Sequence, residues 1–125
     1  MIMTRRTALS LSAATARAVP ASARDGYPNR PVRIVVPFPA GGSVDPPARV
    51  LADALSNLAG QRFVVDNRPG QAGNIGSDDV AKAEPDGYTL LASNNSMTIS
   101  QSLYAKLPWD ATKDFTWNAA RLIQA

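Results

Sequence analysis

The residues best suited to chemistry are Ala40-Gly41-Gly42-Ser43-Val44-Asp45, which follow the run Val32-Arg33-Ile34-Val35-Val36-Pro37-Phe38-Pro39. Adjacent glycines permit positive φ angles and let main chain approach a ligand closely, and Ser43 is placed to cap a helix that follows. The expected result is a cluster of inward-pointing N–H groups at a helix N-terminus. Such a cluster favours a carboxylate or a phosphate equally, because unpaired donors and the positive end of the helix dipole both face it. A tight turn that binds nothing would use the same residues. Asp45 likewise has two roles open to it, a ligand contact or an ion pair with Arg49 one turn on.

Absent residue types narrow the chemistry. The chain has no histidine and no cysteine. That removes Ser-His-Asp and Cys-His catalysis and disulfides within the chain, and it argues against a transition-metal site. Gly70, Gly73 and Gly76 are spaced G-x-x-G-x-x-G, unlike the dinucleotide fingerprint G-x-G-x-x-G, and no G-K-[ST] is present for a phosphate-binding loop. No cofactor is expected. A small α/β enzyme or phosphate-binding domain built on Gly41-Gly42 stays open as an alternative, though it lacks a clear acid–base pair.

Three strands and the helices between them must position these residues. Val32–Val36 is short, β-branched and closed by Pro37, as expected of a strand covered on both faces. Val44, Ala48, Leu51, Leu55 and Leu58 recur at helical spacing up to Gly60, with Pro46 and Pro47 in the first turn, where no intrahelical donor is lost. Arg62–Asp66 reads as a second strand, Asn67–Gly76 as a long polar loop, and Ser77–Ala83 as a short helix carrying Val80 and Ala83 inward. After the turn Glu84-Pro85-Asp86-Gly87, Tyr88–Ala92 is a third strand, ending in Ser93-Asn94-Asn95-Ser96, which offers donors and acceptors. Three strand–loop–helix passages imply a parallel sheet whose loops Ala40–Asp45, Asn67–Ile75 and Ser93–Thr98 share the carboxyl-end rim, where ligands collect. Simple turn chemistry would account for the second and third loops as well.

The N-terminal residues Met1–Ala23 have the parts of an export signal, with Arg5-Arg6, a small weakly apolar middle and Ala21-Ser22-Ala23 as an A-x-A cleavage pattern. Thr4-Arg5-Arg6-Thr7 hints at the twin-arginine route. Beyond residue 23 the chain has ten basic and ten acidic residues, a balance that argues against a nucleic-acid surface. No apolar run approaches the ~18 residues of a transmembrane helix, so a membrane-spanning chain is not expected.

The stretch Tyr27-Pro28-Asn29-Arg30-Pro31 through Asp45 resembles the opening of the Bug-type solute receptors, the extracytoplasmic substrate-binding proteins of tripartite tricarboxylate transporters. Asn67-Arg68-Pro69-Gly70 through Gly73-Asn74-Ile75-Gly76, Pro85-Asp86-Gly87-Tyr88-Thr89-Leu90-Leu91, and Leu103-Tyr104 through Asp110 with Lys113-Asp114-Phe115 follow in the same order. The resemblance implies a two-lobed type II periplasmic binding fold that closes on a small carboxylate without chemistry. It also implies handover to the membrane subunits of such a transporter and a periplasmic, monomeric protein. It assigns ligand contact to Ala40, Gly41, Gly42 and Ser43, with Asp45 lining the turn, and to Asn74, Ile75, Ser93, Asn94, Asn95 and Ser96.

On this reading residues 24–115 form an incomplete first lobe, and 116–125 are an atypical tail that a frameshift or truncation would explain. Pro46-Pro47 also differs from the apolar pair expected there. Exposed apolar surface and marginal stability are the expected consequences.

Overall fold

The computed structural model describes residues 26–116. The export-signal reading and most of the tail therefore lie outside the described residues. The elements run β1 (Val32–Val36), α1 (Asp45–Ala59), β2 (Phe63–Asn67), a 3₁₀ turn (Gln71–Gly73), α2 (Asn74–Ala81), β3 (Thr89–Leu91) and α3 (Ser96–Leu103). The sheet is parallel in the order β2-β1-β3, with Val32 opposite Phe63, Val36 opposite Asn67, and Ile34 opposite Leu90.

As the central strand, β1 holds Val32, Ile34, Val35 and Val36 almost wholly out of water, which is why its sequence is apolar rather than alternating. The exception, Arg33, shows which helix covers which face. Its guanidinium pairs with Asp66 at 3.3 Å and with Asp79 of α2 at 2.7 Å, so α2 lies over the face shared by Arg33, Val35 and Asp66. The helix α1 packs on β1 and β2. Right-handed crossovers running first one way and then the other place it on the opposite face.

The buried side of α1 differs from the leucine stripe expected from spacing. Asp45, Ala48 and Ala52 are buried and Leu55 is half-buried, while Leu51 and Leu58 are 43% and 85% exposed. The inward face is rotated by roughly 60° from the expected one, at 100° per residue. Its polar members explain the shift. The Ser56 hydroxyl accepts the Phe63 N–H at 2.8 Å and donates to the Ala52 carbonyl at 2.6 Å, and Asp45 is committed to the turn before the helix. Gly60, at φ 67°, closes the helix as a left-handed cap.

A second core lies beyond β3, where Met97, Trp109 and Ala111 are buried and Ala81, Leu91, Leu107 and Phe115 pack against them. At the amino end of the sheet the lead-in segment is strapped to the turn before β3. Tyr27 donates its hydroxyl proton to the Gly87 carbonyl at 2.6 Å, Arg30 pairs with Asp86 at 2.6 Å, and the Arg30 guanidinium lies 4.2 Å from the centre of the Tyr88 ring.

Candidate functional site

Strand order points to one edge of the sheet by the general rule for open α/β folds. With β1 between β2 and β3, the loops leaving β1 and β3 flank the junction at which the order reverses, and in open α/β sheets that junction forms a crevice at the carboxyl ends of the strands. Ala40–Asp45 borders it on one side and Ser93–Ser96 on the other. The β2 loop folds over toward them. Gly73 and Gly76 come so close to Pro37 that an added Cβ would lie 3.4 Å and 2.8 Å from its Cβ, and α3 packs against the 3₁₀ turn. All three segments expected on one rim are therefore brought together.

Several local expectations are corrected. Ser43 does not cap α1: the cap is Val44, and no side chain bonds the helix end. The Asp45 carboxylate works there instead, accepting the Gly41 N–H at 2.9 Å, Arg49 Nε at 3.0 Å and Asn67 Nδ2 at 2.9 Å. A cap side chain would need an amide of the first helical turn, and Pro46 and Pro47 supply none there. The amides of the two glycines are spent within the turn, since Gly42 donates to the Pro39 carbonyl at 3.2 Å. Ala40, Ser43 and Val44 keep N–H groups without a partner among the described residues. Gly41 (φ 80°) has an open flank, with nothing within 4 Å of a built Cβ.

Asn74 and Ile75 lie not in a loop but in the first turn of α2, which begins three residues before its expected start. Close packing of Gly76 on Pro37 and on the Arg68 carbonyl explains the early start, because the glycine that reads as a loop residue is there to let the helix approach. Ile75 is half exposed. Asn74 is only 5% exposed, yet its carboxamide has no hydrogen-bond partner among the described residues. Ser93 is half-buried; Asn94 and Asn95 are exposed, and the Asn94 side chain accepts the Ser96 N–H at 3.0 Å at the start of α3. The helix α3 was not expected. Its sequence SMTISQSL is polar and β-branched, and only Met97 and Ser100 are buried.

Sequence reasoning gave Asn67 no role beyond rim membership, and Arg49 only a surface pair. Both bond the Asp45 carboxylate, and the Arg49 guanidinium also donates to Asn67 Oδ1 at 3.1 Å. The spacing of Asp45 and Arg49 was a usable signal for one of these contacts.

Arg49 foremost, then the Gly41 amide and Asn67, hold the Asp45 carboxyl down from 3.8 to about 2. A lowered folded value means stability that is complete above the unfolded value and disappears as pH falls through the folded one. The destabilisation caused by Asp45→Asn should therefore be constant at neutral pH and vanish as pH falls from 3.8 to about 2, as read from melting temperatures of the two proteins across that range.

The chain shares its parallel α/β sheet with periplasmic binding proteins of known structure. The chain belongs to the tripartite tricarboxylate transporter receptor family, whose match covers residues 47–123 and so takes in most of the tail set apart by sequence. Protein BugT of Bordetella pertussis is 48% identical over 99 residues, covering 78% of this chain and 30% of BugT. Among solved structures, a protein of R. palustris with adipate aligns with TM-score 0.51 and 51% identity over 52% of this chain and 22% of that one. MatC of Rhodopseudomonas palustris with bound malate aligns with TM-score 0.50 and 39% identity, over 51% of this chain and 22% of that one. The chain spans between 27% and 34% of the length of the curated relatives it matches.

Proposed function

We propose that this chain forms one wall of the ligand crevice in a periplasmic receptor that captures a small carboxylate without chemical change. The receptor delivers it to the membrane subunits of a tripartite tricarboxylate transporter. The observation that carries the reading is Asn74. Its carboxamide makes no hydrogen bond among the described residues, and although the residue is only 5% exposed its polar atoms stay within reach of solvent. It lies beside the turn whose Ala40, Ser43 and Val44 amides are also unpaired, and a carboxylate oxygen or a bridging water would satisfy both.

In this reading the ligand meets the N–H groups of Ala40, Ser43 and Val44 and the Ser43 hydroxyl. Gly41 and Gly42 permit close approach, Asn74 with Ile75 forms the floor, and Ser93, Asn94, Asn95 and Ser96 form the far side. Asp45 shapes the turn rather than touching the ligand. Adipate and malate, bound by the R. palustris relatives, are the probes of choice. The rival phosphate-binding reading uses the same turn, and the Gly41 amide is held by the Asp45 carboxylate against either anion.

Asn74→Leu separates the two roles a buried side chain can have. It is expected to leave the melting temperature close to that of the wild type, because the carboxamide makes no hydrogen bond among the described residues for leucine to break, and to reduce malate or adipate affinity about tenfold in isothermal titration, the loss of one hydrogen bond to a charged group. Loss of stability with unchanged affinity would contradict the assignment. Saturable binding of inorganic phosphate, with none of either carboxylate, would favour the rival.

A further inference from the structure

We propose that Asn67 is a positioning residue for the ligand turn: with Asp45 and Arg49 it forms a latch that ties the end of β2 to the β1–α1 loop and keeps Gly41 in its bound-ready conformation. The role of this latch in ligand capture rests on the carboxylate-receptor reading; its geometry does not.

The geometry starts from register. Asn67 is the last residue of β2 and faces Val36, the last residue of β1, and Arg68 donates its N–H to the Val36 carbonyl at 2.8 Å. From that fixed point the Asn67 carboxamide reaches three ways. Its Nδ2 donates to the Phe38 carbonyl at 3.2 Å and to Asp45 Oδ1 at 2.9 Å, while Oδ1 accepts from the Arg49 guanidinium at 3.1 Å. The other Asp45 oxygen, Oδ2, holds Gly41 N–H and Arg49 Nε. The ring of bonds thus runs from the sheet through Phe38, Asn67 and Asp45 to Gly41, joining both ends of the turn to a strand that does not carry it.

Two consequences follow from this arrangement. With Gly41 N–H turned inward to Asp45, the neighbouring amides of Ser43 and Val44 are left without an internal partner. The only charge buried in the turn is negative, with Arg49 pairing it at 52% side-chain exposure, so the turn repels an incoming carboxylate less than a lone aspartate would. Only an amide side chain suits position 67, because it must donate to a carboxylate and a carbonyl and accept from a guanidinium at once. Aspartate has the same shape but no donor, and it would set a second negative charge beside Asp45.

Asn67→Asp and Asn67→Ala in the full chain provide the test, followed by amide hydrogen exchange. Neither substitution removes an atom that touches Gly41. Both are expected to speed exchange of the Gly41 amide about tenfold or more, the loss of a hydrogen bond to a charged acceptor, with Asn67→Asp the larger and the Val35 amide in β1 unchanged. An unaltered Gly41 rate in both variants overturns the latch. Should a variant unfold, Val35 exchange will rise with Gly41, and the wild-type protein then decides. Its Asn67 side-chain amide resonances must follow the Asp45 titration, which lies below the ordinary aspartate range; Asn67 side-chain resonances that ignore that titration overturn the latch. Malate affinity, read separately, should fall about tenfold wherever Gly41 exchange is released. A wild-type chain that shows the exchange pattern and binds no malate refutes the receptor reading while keeping the latch.

Discussion

Trp109→Ala is expected to leave the chain without a cooperative melting transition at 25 °C. Trp109 is 4% exposed and sits among Met97, Ala111, Leu107 and Leu91, with the Phe115 ring edge-on at 5.9 Å and 84°. Truncating a buried tryptophan costs about 3–5 kcal/mol, and a chain of this size has total stability on the order of 5–15 kcal/mol, with the low end expected of so small a sheet. Trp109→Phe makes the contrast. The indole N–H has no hydrogen-bond partner among the described residues, so phenylalanine keeps much of the ring packing and gives up no bond seen there, and its melting temperature should stay far closer to that of the wild type. Equal losses from both substitutions, measured by thermal denaturation, would show that this second core is not held by ring packing.

Gly76→Ala is the second large effect, and it bears on the site as well as on stability. An alanine Cβ at position 76 would lie 2.8 Å from the Arg68 carbonyl oxygen and 2.9 Å from Pro37 Cα, both backbone atoms that cannot turn aside. Something must move, at a cost of about 1–3 kcal/mol for overpacking. Movement that lifts α2 from Pro37 takes Asn74 away from the β1–α1 turn. The expected outcome is a lowered melting temperature together with loss of malate binding. Gly41→Ala has free space for its methyl, so its cost comes from the positive φ alone, about 1–2 kcal/mol, and its melting temperature should fall no further while α2 stays in place. If Gly76→Ala melts at the wild-type temperature, the close approach of α2 to the β1 loop is not as described.

How much of this was legible in the sequence depended on whether polar groups behaved as polarity suggests. Val32–Val36 was read with its correct ends, because a β-branched run closed by Pro37 has few alternatives. The extent of α1 was clear from Pro46-Pro47 and Gly60, but its facing was not. Hydropathy counts Asp45 and Ser56 as outward residues, whereas both are drawn inward by backbone N–H groups they accept, and Leu51 and Leu58 are turned toward solvent as a result. Glycine was misleading at Gly76, where it signals close packing rather than a loop. The helix α3 was hidden by residues such as Thr98, Ile99 and Ser100, whose intrinsic preference for helix is weak. The rim itself was legible from the parallel sheet that three strand–loop–helix passages imply, whereas the strand order was not. The bonding inside it was not, since one aspartate with three donors from three segments leaves only its Arg49 spacing in the sequence.

Exposed apolar residues are the remaining expectation. Val50, Leu51 and Leu58 on α1 and Ile99 and Leu103 on α3 are each at least 43% exposed, which makes these two helices the places to look for self-association.

The most direct measurement is an amide chemical-shift map of the full chain titrated with malate. If the carboxyl-end rim is the binding site, the resonances of Ala40, Ser43, Val44 and Asn74 and those of Ser93–Ser96 should shift together and saturate, while Asp86 and Tyr88 at the opposite end of the sheet stay still. Shifts confined to that opposite end, or none at all, would contradict the assignment of this rim as a carboxylate site.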